Sequence, residues 1–260
     1  MTATAIDRGA PRPAMSPTPF PAQHPWDRNF FLLWIALIWF GVAMGFGPEI
    51  RKHVANHETP YPLVTHVHGF FFMGWLVLAT AQVLLIRARR VAWHRTLGYA
   101  MVAWGAAMVV LGPAVAWMAQ HRDFGTPAGD PQFFSIQVID IVSFAVLGTA
   151  GVLLRATPSA HKRLMLIATL CIADAGYGRW LPTPLEHAMG GHTFWPDYLG
   201  LFGATAALIV GIGVYDLITR RRLYPAYAAG AAWGLTGQLT AVILYFNPAW
   251  IAWTTKLFHP

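Results

Sequence analysis

The chain has 260 residues, 56% of them hydrophobic and only 11% charged, with a mean hydropathy of +0.45. Soluble domains carry roughly 25% charged residues, so the composition excludes an ordinary soluble protein and describes a membrane protein. The formal charge of +7 is not gathered into a basic, aromatic surface stretch, so a nucleic-acid partner is not expected.

Residues 1–26 are rich in Pro, Ala and Thr and have no apolar core, so they read as a disordered tail rather than a signal peptide. Seven apolar runs follow, at 30–47, 64–86, 97–118, 133–154, 164–177, 198–218 and 226–246. Each approaches the ~20 residues a helix needs to cross a bilayer, although the fifth is cut short by Gly176, Gly178 and Pro182. The expected architecture is all-α: a polytopic membrane protein with seven transmembrane helices over residues 27–247. Residues 248–260 form a Trp-rich interfacial tail, since such rings settle at the membrane surface.

Thirteen Lys and Arg fall in the N-terminal tail and the loops after spans two, four and six. Five fall on the other side. That asymmetry predicts a cytoplasmic N-terminus and an external C-terminus. A short repeat accompanies it. Val83-Leu84-Leu85-Ile86-Arg87 leads to His94-Arg95, and Val152-Leu153-Leu154-Arg155 leads to His161-Lys162. Spans two-three and four-five therefore read as two parallel hairpins.

Chemistry is confined to a few polar groups. His66 and His68 open the second span and project about 200° apart on a helix, so the pair cannot chelate one ion. His68 shares a face with Trp75 and Gln82 and is the expected inward ring. Asp140 on the fourth span and Asp174 on the fifth lie in the same outer half. With His66 or His68 they make a candidate metal site, because imidazole and carboxylate together suit iron, zinc or manganese. His53, His57, His121, His187 and His192 sit in outer loops, and His53 and His57 have a spacing that converges if that loop is helical. On the inner side, His94 and His161 open the third and fifth spans at one depth and can clamp a haem iron from its two faces. Arg87, Arg95, Lys162 and Arg163 around them suit haem propionates or anionic headgroups. Asp216 and Arg220, four apart, read as a local ion pair.

Other chemistries lack their residues. The single cysteine, Cys171, allows no internal disulfide. The three lysines stand at span ends or in loops, so a retinal Schiff base is excluded. No phosphate-binding glycine loop or HExxH metalloprotease motif occurs.

The pattern His66-x-His68-Gly69, Gln82, Arg87 and His94-Arg95-x-Leu97-Gly98, with His161-Lys162-Arg163-Leu164-Met165, resembles uncharacterised bacterial multi-pass membrane families. More distantly, spans two to five resemble the di-haem cytochromes b that pass electrons across membranes. The resemblance implies a bacterial inner-membrane protein carrying haem b, with His94 and His161 as the inner axial pair and His68 as an outer ligand. The chain departs from the pattern at Ser135 and Gln137, where a second outer histidine would stand, so a loop ligand such as His192 would have to substitute. The expected function is electron transfer or redox chemistry through haem, or through iron, copper or zinc held by histidines. Two alternatives stand beside it. One is a non-catalytic subunit or assembly factor within a larger membrane complex. The other is an outward-facing metal-dependent membrane enzyme or transporter.

Overall fold

The computed structural model describes residues 20–259 and contains, among them, helices and no strand. In chain order these are α1 (Asp27–Ala55), α2 (Leu63–Arg87), α3 (Val91–Asp123), α4 (Phe134–Leu153), α5 (Pro158–Tyr177), α6 (Pro182–Met189), α7 (Phe194–Tyr198), α8 (Ala204–Arg220), α9 (Pro225–Tyr245) and α10 (Pro248–Phe258). A π-helical turn, Leu199–Gly203, joins α7 to α8. Five helical segments are long and apolar enough to cross a membrane, and up to seven if each bent pair counts as one span. The bent pairs are α5 with α6, turning by 71°, and α9 with α10, turning by 75°. The described residues are thus all-helical, with the several long apolar helices of a multi-pass membrane protein.

Local chemistry explains the breaks. α5, α6, α9 and α10 all have proline in their first turn, where its fixed φ suits a helix start and its missing N–H costs nothing. Asn247 caps α10 by accepting from the backbone N–H groups of Ala249 and Trp250. The Trp-rich segment expected as an interfacial tail is therefore a capped helix. Two helices outrun their apolar runs: α1 continues through Pro48 to Ala55, and α3 spans Val91–Asp123. The disordered tail expected over 1–26 lies outside the described residues up to 19. From Phe20 on, the chain lies against the bundle, with the Pro21 carbonyl accepting from Arg220 and the Ala22 carbonyl from Lys162.

The bundle is built around α5, whose residues are buried on nearly every face. α1, α4, α8 and α9 pack on it. α2 reaches it where the Trp75 indole donates to Thr169 Oγ1 at 3.2 Å, and α3 sits outside between α2 and α4. Such central placement requires thin neighbours, since close helix approach in lipid depends on small residues. Gly41 and Gly45 supply this on α1. A Cβ at Gly45 would stand 2.1 Å from the Gly176 carbonyl oxygen, and one at Gly176 2.8 Å from Val42 Cα. Here two helices touch backbone to backbone, and no side-chain rotation can make room.

Gly45→Ala should therefore lower the melting temperature of the detergent-solubilised protein, by an amount equivalent to about 1–3 kcal/mol of overpacking. Gly47→Ala, whose added carbon meets nothing within 4 Å, should leave it unchanged or raised. Intrinsic tryptophan fluorescence on heating reads both.

Candidate functional site

Three clusters of chemically active side chains lie along the bundle. The first is at the arginine-rich end, where the loops after α2, α4 and α8 meet. His94 and His161 are each the fourth residue of their helices, α3 and α5. Their rings stand 6.2 Å apart, centroid to centroid, and are nearly perpendicular at 86°. The structure thus brings together the two histidines that the repeat singled out. His161 Nδ1 lies 2.8 Å from the Gly151 carbonyl. A carbonyl only accepts, so Nδ1 carries the proton and Nε2 presents a lone pair. The Gln82 carbonyl lies against the His94 ring. His94 Nδ1 and the Gln82 side-chain oxygen are both buried with no hydrogen-bond partner.

The cations beside this pair are already committed. Arg163, 1% exposed in its side chain, forms a two-pronged bond to Asp216, which is 0% exposed. Its third nitrogen donates to the Ser159 carbonyl at 2.8 Å. Arg220 reaches both oxygens of Asp27 at 2.9 Å, and Lys162 reaches Asp27 at 2.7 Å. The Tyr215 hydroxyl donates to the same carboxylate at 2.6 Å. Asp216 and Arg220 do approach, at 3.5 Å, but the local pair expected from their spacing is the longest link in a net spanning α1, α5 and α8. Nor are Lys162 and Arg163 free to hold propionates. Arg87 donates to the Arg28 carbonyl and to Asn29, while Arg95 is exposed.

The second cluster is Asp140 and Asp174, on the closely packed α4 and α5. The two carboxyl groups lie close enough to act on one another electrostatically, and Asp174 Oδ2 has no hydrogen-bond partner. Asp174 is 3% exposed and accepts from the Ala175 N–H at 3.0 Å. The carboxylates expected to share a site do meet, but the histidines do not join them. Among the described residues, His66, His68, Asp140 and Asp174 do not form a group of three or more donors within 4.8 Å of one another. His66 is exposed and meets Tyr61 edge-on. His68 is the more buried ring, but it stacks on Phe72 at 4.0 Å, leaving Nδ1 without a partner. Phe72 in turn lies against the Gly112 position of α3, so the ring is held on its own helix. Arg179 pairs with Glu49 rather than Asp174.

The third cluster lies at the opposite end. Glu186, His192 and Asp197 place donor atoms within 4.8 Å of one another. His192 Nδ1 is 3.3 Å from Asp197 Oδ1, and Nε2 is 3.5 Å from Glu186 Oε2. The turn that brings them together depends on Gly190 and Gly191, at φ 93° and 104°, a region costly for any residue with a Cβ. Both glycine N–H groups donate to the Glu186 carbonyl. The carboxylate of Asp197 holds the His192 imidazole's pKa above its ordinary value, with Glu186 and Asp130 adding to the effect. Burial pushes the Asp130 carboxyl up in turn, against the hydrogen bond it accepts from Tyr245. Sequence reasoning marked His192 but not Glu186 or Asp197. The one available signal was Gly190-Gly191, a pair that reverses the chain. His53 and His57 do not converge: His53 bonds Glu58 at 2.9 Å and stacks on Tyr61, while His57 lies beyond the helix end at φ 51°.

No family profile, curated protein or solved structure matches the chain. Function therefore has to be argued from these residues.

Two outcomes are expected. Asp216→Ala should destabilise the protein by about 3–5 kcal/mol, because it strands a buried guanidinium, while replacing Arg163 and Asp216 together by apolar residues should cost much less. A double-mutant cycle on thermal unfolding measures both. The second concerns His192. Its folded-state pKa is raised, so its stabilising contact is fully present below the unfolded pKa and is lost as pH rises through the folded one. Side-chain NMR titration should place His192 above the usual histidine range, and Asp197→Asn should bring it down.

Proposed function

We propose that this chain is a seven-span inner-membrane protein, arginine-rich end in the cytoplasm, that holds a metal between His94 and His161 for electron transfer or redox chemistry. The observation that carries this is the meeting of two imidazoles from two helices at 6.2 Å. Metal–nitrogen bonds are about 2 Å long, so both rings are within reach of one ion. Their second contacts fit as well. Metal-binding imidazoles donate their other ring N–H to a carbonyl or carboxylate, as His161 does to Gly151.

Haem fits this site in part. His94 and His161 are the residues that would hold it, and the group would supply one-electron redox chemistry when bound. The propionates are a different matter: Lys162 and Arg163, the cations nearest in sequence, are paired with Asp27 and Asp216. Arg87 is held by the Arg28 carbonyl and Asn29, which leaves the exposed Arg95 to receive them. A single copper, iron or zinc ion asks nothing of those cations and needs only the two nitrogens and further donors such as the unpartnered Gln82 oxygen.

Purified protein from haem-replete cells should show a Soret band that shifts on reduction and is lost in both His94→Ala and His161→Ala. Stoichiometric metal without a Soret band, lost in the same variants, would assign a bare ion. Colourless, metal-free protein would end the proposal.

A further inference from the structure

We infer that Glu186, His192 and Asp197 form a binding site for a zinc-class divalent cation at the end of the bundle opposite the arginine-rich one. It shares no residue with the His94–His161 pair and does not depend on it.

The spacing argues against a finished set of ion pairs. Charge-assisted N–H···O bonds run about 2.7–2.9 Å, whereas the contacts of His192 with Asp197 and Glu186 measure 3.3, 3.4 and 3.5 Å. Two ligands on a tetrahedral ion with bonds of about 2.1 Å stand about 3.4 Å apart. The nitrogen that faces the ion and the carboxylate beside it are thus at the separation of two ligands, and one donor atom from each of the three residues lies within 4.8 Å of the others.

An unsatisfied donor atom points the same way. Asp197 is 4% exposed, yet its Oδ1 makes no hydrogen bond and has only the 3.3 Å approach of His192 Nδ1. A buried carboxylate oxygen left bare costs free energy that a cation recovers. Asp130, whose charge is felt by both His192 and Asp197, likewise keeps one buried oxygen without a partner. Two carboxylates therefore flank one exposed imidazole, and Asp130 is near enough to act on it electrostatically.

The donor set chooses the ion. Calcium and magnesium take oxygen ligands alone, whereas one imidazole nitrogen with carboxylates suits zinc and other first-row ions. The ring can give only one nitrogen to the ion. The other keeps its proton and a carboxylate as acceptor. Because each carboxylate has two oxygens, the one facing the second nitrogen still has an oxygen to offer. The backbone presents the group: Gly190 and Gly191 turn His192 back over Glu186, and the π turn begins two residues after Asp197. π turns inside helices recur at functional sites.

The test is titration of Zn²⁺ into EDTA-stripped, full-length protein in detergent, by calorimetry and by competition with a fluorescent chelator. We expect saturable binding at one ion per chain, beyond any held at the other end and retained in the His94→Ala/His161→Ala double variant. His192→Ala and Asp197→Asn should each weaken it at least tenfold. His192 is 71% exposed in its side chain, so its alanine variant should fold, and gel filtration with circular dichroism verifies this. Binding that is unchanged in both variants would place the ion on other surface histidines and overturn the proposal. So would equal competition by Ca²⁺ or Mg²⁺, or no saturable binding at all.

Discussion

A guanidinium buried in the bundle sets the terms for the rest of the molecule. Arg163 lies in the second turn of α5, the helix with the least access to solvent, and neither lipid nor water can compensate its charge there. Asp216 must therefore come to it from α8, and the Ser159 carbonyl from the preceding turn. With Asp216 occupied, Arg220 turns to Asp27 on α1, where Lys162 and Tyr215 also converge. The rings of Phe20 and Tyr224 cover the Arg163 guanidinium. Three helices are thereby fixed in register by charges that cannot be separated one at a time. His161 immediately precedes Lys162 and Arg163, so its depth is set by the ion pairs that those two residues make.

Enclosing α5 places a second demand on the surrounding helices: they must bond to one another through groups that lipid tolerates. Indole N–H groups do much of this. Trp34 donates to the Leu208 carbonyl, Trp39 to Thr80, Trp75 to Thr169 and Trp104 to the Phe71 carbonyl. Tryptophans that composition alone assigns to interfacial belts are in these cases inter-helix donors with a large apolar body. They combine burial of ring surface with a satisfied polar atom, the combination that suits a core without water. Glycines make the complementary adjustment where such a ring must lie against a helix. A Cβ at Gly211 would stand 2.7 Å from Trp34, and one at Gly74 2.4 Å from Trp104.

Much of this was legible in the sequence, and the parts that were not share a cause. The apolar runs located the helices because hydropathy reports burial in lipid directly. The His94 and His161 pairing was legible because two hairpins of similar length, each opening its second helix at the same position, bring equivalent residues to one depth. Asp140 and Asp174 could be placed in one half of the bundle by depth alone. Whether His68 joined them could not, because depth says nothing about rotation about the bundle axis. The Phe72 ring that holds His68 on its own helix is a packing outcome. The Glu186–His192–Asp197 cluster was least visible. It lies in a segment that hydropathy assigns to a loop, and its geometry comes from two left-handed glycines and a π turn, which leave no periodic trace. The Asp216–Arg220 spacing described a pair that does form, at 3.5 Å, but a local rule could not show the closer bonds that each makes to Arg163 and to Asp27.

Distances along α5 separate the clusters into two groups. From His161 to Asp174 is thirteen residues, about 20 Å of helix. Between them lie Leu164, Ile167, Ala168 and Leu170, all buried, with Thr169 bonded to Trp75. Nothing on this stretch of α5 offers a continuous path for a proton, so the histidine pair and the carboxyl pair cannot exchange one through this helix's side chains. Asp174 is instead one turn from the far end of α5, on the side of the bundle where α6, α7 and the free oxygens of Asp130 and Asp197 are found. The carboxyl pair therefore lies in the half of the bundle that also holds Glu186, His192 and Asp197. The polar chemistry of this protein divides into a histidine pair beside a net of ion pairs and an acidic half toward the other end, with an apolar layer of α5 keeping the two apart.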